Sequence, residues 1–234
     1  MNDTRQLVIG LGTGRCGTVS LMKILNAQPG LNFSHESRPV LPWKFSEKKI
    51  DEKMKQIMSY DGTIVGDIAF FYLPYVEYIL GKNPSTKFVC LQRPKNEVVK
   101  SYLQKTYFNN PWIIHDGKKW LHYEWDDCYP KYNVKSKSRA IGLYWDHYHR
   151  EIHRLMELYP KNISLYDMTL YLNESDRIRE LLHFVGVKME DAQILTVKTN
   201  VAKQLSPFEK FDWWFQLFSK KIMQIFSKLK RNKP

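Results

Sequence analysis

The sequence predicts an α/β fold in which helices flank a central, mostly parallel sheet, giving three layers. The first observation is an apolar run, Leu7–Leu11, that leads into a glycine-rich turn and then into apolar residues at helical spacing. The second is an alternation of strand-like and helix-like segments along the chain, which is typical of parallel sheets. The third is the length of 234 residues, which suits one domain with a sizeable buried core.

The elements that follow the glycine-rich turn have recognisable signals. Predicted strands are short apolar runs bounded by turn residues, and predicted helices have apolar residues three and four positions apart. Pro94 suits a first helical position because its missing N–H would have no intrahelical partner, and Gly186 suits a C-terminal cap. The predicted strands are residues 31–34, 63–67, 87–93 and 162–166, and the predicted helices are residues 47–59, 70–81, 95–104, 138–159 and 174–185.

Two further regions complete the predicted architecture, an aromatic-rich lid and a C-terminal amphipathic helix. Residues 106–137 mix aromatic and charged side chains, which favours a lid that stacks a sugar, an aromatic acceptor or single-stranded nucleic acid, or that only packs on the domain. Residues 208–229 carry an apolar stripe beside lysines, as does a helix that packs on its own domain or lies on an anionic membrane. We predict a domain at 1–205 and a helical extension at 206–234, and we favour packing over peripheral membrane contact through 208–230.

Positive charge dominates the composition and predicts an anionic partner. Lys and Arg number 36 against 24 Asp and Glu, which gives a formal net charge of +12 and a pI of about 9.4. The partner classes are nucleotides, sulfated or phosphorylated substrates, nucleic acids and acidic membranes. The three scattered cysteines are typical of reduced thiols, and no apolar run is long enough for a leader or a membrane span, so we expect a soluble cytoplasmic protein.

Histidines crowd the predicted helix 138–159 without predicting a metal site. His149 and His153 are four residues apart, as zinc ligands on a helix can be. However, Arg150 stands where a zinc protease would carry glutamate, and no third ligand is evident. We therefore expect packed or solvated histidines and no bound metal.

The glycine-rich turn fits two familiar nucleotide motifs incompletely. Gly12, Gly14 and Gly17 have the spacing of the dinucleotide fingerprint, and Glu36 can be its ribose-binding acid. Gly12 and Gly17 also have the spacing of the phosphate loop of nucleoside triphosphatases. That loop needs a lysine where this chain has Thr18, which argues against a kinase or ATPase.

In a third interpretation, Arg15 supplies the positive charge of the turn, and a second anion site lies further along the chain. Arg93 ends a predicted strand, and Ser101 follows eight residues later on the predicted helix. A guanidinium and a hydroxyl in this arrangement can hold one phosphate together. Two phosphate sites at the carboxyl ends of two strands suit a nucleotide phosphorylated at both ends of its ribose.

These two segments, Gly14-Arg15-Cys16-Gly17-Thr18 and Arg93 with Ser101, resemble the paired signatures of the sulfotransferases that use 3′-phosphoadenosine 5′-phosphosulfate (PAPS). The resemblance implies a P-loop-like fold and PAPS as co-substrate. It assigns the 3′-phosphate to Arg93 and Ser101. It assigns the 5′-phosphosulfate to the turn residues Gly14, Arg15, Cys16, Gly17, Thr18 and Val19.

Within that family the donor and base motifs are most similar to the tyrosylprotein sulfotransferases, through Leu21-Met22 and Glu36-Ser37-Arg38. The resemblance implies that Glu36 is the catalytic base and that Arg38 contacts the substrate. Two positions depart from the family pattern. Val19 replaces a second hydroxyl residue, and Ile68 stands where many members carry a lysine after Gly-Asp or Gly-Glu.

The sequence thus predicts transfer of a sulfuryl group from PAPS to an acceptor hydroxyl on a glycan, lipid, small molecule or peptide. We expect Arg15 to offset charge on the leaving phosphate, Glu36 to accept the proton, and His35 to be the base if Glu36 is not. Nucleic acid is a disfavoured partner. Two alternatives stay open: an NAD(P)-dependent oxidoreductase of the Rossmann type, and a non-enzymatic basic module that binds nucleic acid or membranes.

Overall fold

The computed structural model describes residues 5–105, 125, 127–134, 136–168 and 174–195. Their centre is a sheet of five parallel strands in the order β2-β3-β1-β4-β5. The strands are β1 (Gln6–Gly12), β2 (Leu31–His35), β3 (Ile64–Ile68), β4 (Lys87–Gln92) and β5 (Ile163–Asp167). This sheet confirms the predicted fold class.

Helices cover both faces of the sheet, because alternate side chains of each strand point to opposite faces. In β1, Leu7 and Ile9 join one buried cluster and Val8 joins the other. The helices are α1 (Thr18–Asn26), α2 (Glu47–Met58), α3 (Val76–Lys82), α4 (Lys95–Lys105), α5 (Lys137–Leu158) and α6 (Ser175–Val185). Side chains of α1 and α6 fill one cluster, and side chains of α2 to α5 fill the other, so the domain has the three predicted layers.

The prediction of one helix over 70–81 is wrong in its first half. Residues Phe70–Tyr75 form a 3₁₀ helix, and the α-helix begins only at Val76. Pro74 lies inside the 3₁₀ segment, where its missing N–H and its ring are incompatible with a continuous α-helix. The other predicted helices and strands within the described ranges lie within a few residues of their predicted positions.

Much of the predicted lid and all of the predicted C-terminal extension lie outside the described residues. The described part of the lid contributes ring packing: Tyr129 stacks on Phe70 with ring centroids 4.3 Å apart. Among the described helices, none is both long and apolar enough to cross a bilayer.

The strand register brings the candidate residues to one edge of the sheet. His35 of β2 pairs with Ile68 of β3, and Gly10 of β1 also pairs with Ile68. On the other side of β1, Gly12 pairs with Leu91 of β4. The carboxyl ends of β1 to β4 therefore meet at the same edge, which is where ligands bind in open α/β sheets.

Candidate active site

The turn between β1 and α1 has the backbone of an anion-binding loop. Gly14, Arg15 and Gly17 all have positive φ, at 76°, 60° and 91°. Arg15 is one of the two described residues other than glycine with such a φ, a conformation that persists only where the surroundings impose it. Gly17 is the N-cap of α1 and provides no capping side chain. The first amides of α1 therefore remain available to an anion at the helix N-terminus.

Two buried tyrosine hydroxyls fix this turn in place. The Tyr102 hydroxyl of α4 donates to the carbonyl oxygen of Thr13 over 2.6 Å. The Tyr148 hydroxyl of α5 accepts from the Gly12 N–H over 3.0 Å and donates to the carbonyl oxygen of Phe70 over 3.1 Å. A Cβ at Gly14 would overlap the Tyr102 hydroxyl, so the loop packs against that tyrosine as closely as glycine allows.

Sequence analysis did not single out these two tyrosines as parts of the site. Their spacing marks them only as members of the apolar faces of α4 and α5, and both are almost completely buried. The available signal was a polar hydroxyl on a face that is otherwise apolar. Such a hydroxyl needs a hydrogen-bond partner inside the protein.

The two predicted phosphate sites are in direct contact. The Arg15 Nε–H donates to the Ser101 hydroxyl oxygen over 3.1 Å, and an Arg93 Nη1–H donates to the carbonyl oxygen of Arg15 over 3.1 Å. The Arg93 Nε–H donates to the Glu97 carboxylate over 2.8 Å. The indole N–H of Trp145 donates to the carbonyl oxygen of Arg93 over 3.0 Å and fixes the end of β4. Two guanidinium groups and one hydroxyl thus converge beside the glycine turn.

Glu36 lies at the end of β2, next to this cationic cluster. Its φ is 48°, and its N–H donates to the carbonyl oxygen of Ile68 over 3.1 Å, which holds the carboxyl side chain at the strand edge. The pKa of Glu36 is raised to about 7, chiefly by burial and also by the negative charge of Asp67, while the Arg15 guanidinium acts in the opposite direction. A carboxylate that titrates near neutral pH is suited to accept a proton.

The imidazole ring of His35 contacts the glycine-rich turn. Its Nε2 lies 2.9 Å from the Thr18 hydroxyl oxygen, so the ring and the hydroxyl share a hydrogen bond. Burial lowers the pKa of His35, while Asp67 acts in the opposite direction. The contact places the His35 ring beside the turn that is predicted to bind the 5′-phosphosulfate.

The remaining predicted residues differ in accessibility. Cys16 is fully buried with its thiol inside the turn, against Gly12 and Gly14, and burial raises the pKa of that thiol to about 11. Val19 is 39% exposed in the first turn of α1. Arg38 is exposed on the turn that follows Glu36. Ile68 is completely buried, with its side chain against Gly10.

A buried lysine, Lys53, lies close to this edge although the sequence analysis did not single it out. It comes from α2, where it takes a position on the apolar face between Ile50 and Ile57. That position was the available signal, because a lysine is almost never fully buried without a partner. Lys53 contacts Ser37, the residue directly after Glu36.

The comparisons with known proteins identify the fold. No family model and no curated protein matches the chain. A solved sulfotransferase from Alicyclobacillus acidocaldarius superposes with a TM-score of 0.53 at 16% identity, covering 98% of this chain and 97% of that one. The chain therefore shares the α/β fold of a sulfotransferase.

Two further solved structures are similar at lower scores. Mouse sulfotransferase SULT7A1, complexed with PAP, gives a TM-score of 0.48 at 10% identity over 100% of this chain and 90% of that one. The YorR protein from Bacillus subtilis, in complex with phosphorylated GDP, gives a TM-score of 0.46 at 15% identity over 77% of this chain and 95% of that one.

Proposed function

We propose that this protein is a sulfotransferase that moves a sulfuryl group from PAPS to an acceptor hydroxyl, with Glu36 as the general base. The single observation that carries the proposal is the position of Arg15. Its guanidinium donates a hydrogen bond to Ser101 in the second phosphate site, and its positive charge lowers the pKa of Glu36. One side chain thus joins the residues expected to bind the donor to the residue expected to accept the proton.

The donor would bind along the edge formed by β1 and β4. The amides of Gly14, Arg15, Cys16, Gly17, Thr18 and Val19 would hold the 5′-phosphosulfate. Arg93 and Ser101 would hold the 3′-phosphate, because a guanidinium and a hydroxyl together satisfy several phosphate oxygens. The close contact between Arg15 and Ser101 supports a nucleotide with phosphates at both ends of its ribose.

PAPS supplies a sulfur that forms a new bond to the acceptor oxygen while its bond to the 5′-phosphate oxygen breaks, leaving 3′-phosphoadenosine 5′-phosphate (PAP). Glu36 would take the hydroxyl proton of the acceptor as that bond forms. Arg15 would offset the charge that develops on the leaving phosphate. His35 would orient the Thr18 hydroxyl, and it is the second candidate for the base if Glu36 proves dispensable.

The acceptor is proposed only as a class. A hydroxyl on a glycan, a lipid, a small molecule or a peptide tyrosine satisfies the chemistry of the base. Arg38 is exposed two residues after Glu36 and would contact the acceptor. The likeness of the Glu36-Ser37-Arg38 segment to tyrosylprotein sulfotransferases makes peptide tyrosine one member of the panel to test.

The strand order argues against the dinucleotide alternative. In the doubly wound dinucleotide fold, β2 lies directly beside β1, so the acid at its end can reach the ribose of a nucleotide bound on the first turn. Here β3 lies between β1 and β2. The glycines therefore lie in a sheet whose strand order differs from the order that the dinucleotide fingerprint requires.

Ligand-induced stabilisation separates the proposal from its alternatives. A ligand that binds only the folded protein raises the unfolding temperature as its concentration rises above its Kd. We expect PAP to raise the Tm of the protein and NAD to leave it unchanged. A rise with NAD but not with PAP would favour the oxidoreductase, and salt-sensitive binding of RNA without a response to PAP would favour the basic module.

A further inference from the structure

Lys53 is a buried cation with two kinds of partner. Its Nζ donates to the carbonyl oxygen of Ser37 and, over 2.6 Å, to the Ser37 hydroxyl oxygen. It also lies 3.6 Å from a carboxylate oxygen of Asp67, and neither charged side chain is exposed to solvent. A buried charge of this kind persists only when paired and hydrogen-bonded.

Asp67 connects the same pair to the rest of the turn. One of its carboxylate oxygens accepts from the Ser34 hydroxyl over 2.8 Å and from the Ser37 N–H over 3.4 Å. The other accepts from the Tyr72 hydroxyl over 2.8 Å. The residues on both sides of the segment 35–36 are therefore attached to one buried carboxylate.

Glu36 is held between these attachments in an uncommon backbone conformation. Its positive φ is costly for a glutamate, so the neighbouring contacts must impose it. The backbone hydrogen bond from Glu36 to Ile68 fixes one side of Glu36. The hydrogen bonds of Ser37 with Asp67 and Lys53 fix the other side. Loss of either set would let the segment relax to an ordinary conformation.

We propose that Lys53 is a positioning residue: with Asp67 it forms a buried ion pair that fixes the Ser37 turn and holds Glu36 beside Arg15. Lys53 acts on Glu36 through Ser37 and through the charge of Asp67. The catalytic consequence rests on the proposed function, whereas the coupling between Lys53 and Glu36 does not. The pair also supplies a reason for a lysine on the apolar face of α2.

The protonation of Glu36 follows from the same arrangement. Several titratable or charged groups from different elements face or adjoin it: Arg15, His35, Arg38, Lys53, Asp67, Tyr102 and Tyr129. Asp67 raises the pKa of Glu36, and Lys53 is the counter-ion of Asp67. Removing the charge of Asp67 should lower the pKa of Glu36. Removing Lys53 should raise it, because the negative charge of Asp67 then acts on Glu36 without its counter-ion.

The test measures Glu36 itself and needs neither donor nor acceptor. The carboxyl carbon of Glu36 in ¹³C-labelled protein is assigned by its absence in Glu36→Gln and followed by NMR across pH. We expect a midpoint near 7 in the unsubstituted protein, a lower midpoint in Asp67→Asn and a higher one in Lys53→Met. The double variant Lys53→Met with Asp67→Asn removes both charges and should return the midpoint towards that of the unsubstituted protein.

The control is Lys55→Met, which removes an exposed lysine two positions away on α2 and should leave the midpoint unchanged. An unchanged or lower midpoint for Glu36 in Lys53→Met would overturn the proposal. If Lys53→Met does not fold, the midpoint of Glu36 is compared between Asp67→Asn and the double variant. A higher midpoint in the double variant supports the proposal, and equal midpoints overturn it. Failure to bind PAP would refute the proposed function and leave this titration interpretable.

Discussion

The Nε atom of Arg15 lies 3.1 Å from the Ser101 hydroxyl oxygen, although 86 positions separate the two residues in the chain. The contact joins the turn after β1 to α4, the helix after β4. Arg93 completes the connection by donating to the Arg15 carbonyl oxygen. Two hydrogen bonds therefore connect the two proposed phosphate sites.

Removal of the second phosphate site should change the preference between nucleotides. We expect Arg93→Ala and Ser101→Ala to weaken binding of PAP about 10- to 100-fold, since hydrogen bonds that involve a charged group contribute about 1.5 to 3 kcal/mol. Binding of adenosine 5′-phosphate, which lacks the 3′-phosphate, should change much less. Isothermal titration calorimetry with both nucleotides measures the ratio.

The matched control for this pair is Lys100→Ala, which removes an exposed cation next to Ser101. It should reduce binding of both nucleotides slightly and equally, because it removes only screened surface charge. Equal losses for PAP and adenosine 5′-phosphate in Arg93→Ala would contradict the assignment of the 3′-phosphate.

Glu97 should compete with the donor for Arg93. Its carboxylate accepts from the Arg93 Nε–H over 2.8 Å, in a pair of which both side chains are partly exposed. Replacement by glutamine removes the negative charge near the bound phosphate and weakens the hold on the guanidinium. We expect Glu97→Gln to bind PAP several-fold more tightly, with a smaller gain at high salt.

Glu157→Gln provides the comparison, since it removes an exposed negative charge near the end of α5. Tighter binding in both variants would mean that net charge alone is responsible. Unchanged or weaker binding in Glu97→Gln would show that the pair with Arg93 prepares the site rather than competing for it.

Glu36→Gln should stabilise the fold above neutral pH. Folding raises the pKa of this carboxyl from 4.5 to about 7, so the folded state binds more protons between these values and loses stability as pH rises through them. Glutamine does not ionise, and the variant should gain up to about 3 kcal/mol in unfolding free energy at pH 8. Urea unfolding at pH 4.5 and pH 8 measures the difference.

At pH 4.5 and below, the same substitution should have little effect on stability, because Glu36 is largely protonated in the folded state and retains only a small ionised fraction. The exposed Glu157→Gln should show no such dependence on pH. Equal stabilities of Glu36→Gln and the unsubstituted protein at pH 8 would mean that Glu36 is not perturbed.

Tyr148→Phe should destabilise the protein and loosen the glycine turn. The hydroxyl of this buried residue bridges the Gly12 N–H and the Phe70 carbonyl oxygen, and phenylalanine leaves both groups without that partner. An unsatisfied buried group costs about 1 to 3 kcal/mol. Chemical denaturation should report a loss in this range, whereas Tyr159→Phe at the end of α5 should cost less than about 0.5 kcal/mol. Equal effects of the two substitutions would refute the bridging role.

The parts of this fold that local sequence determines were predictable. The strand, the glycine turn and the first helix follow from an apolar run, four glycines and helical spacing within about twenty residues. The same local reasoning placed Arg93 at a strand end and Ser101 on the following helix. It could not show that Arg15 bonds to Ser101, because that contact depends on β4 lying beside β1.

The parts that depend on distant packing were not predictable from one sequence. The order of the strands excludes direct pairing of β1 with β2, and no local pattern encodes it. Pro74 was visible within the predicted helix 70–81, but its position alone did not show that Phe70–Tyr75 forms a 3₁₀ helix and that these aromatic side chains are buried. Lys53 became interpretable only when Asp67 and Ser37 were found beside it.

The most direct measurement is transfer of label from ³⁵S-labelled PAPS to a panel of hydroxyl acceptors comprising a sugar, a phenol, a lipid and a tyrosine peptide. The unsubstituted protein should label at least one acceptor, and its rate should rise with pH through about 7 as Glu36 ionises. Glu36→Gln should bind PAP and transfer no label. Transfer by Glu36→Gln at the unsubstituted rate, or a protein that neither binds PAP nor labels any acceptor, would contradict the account.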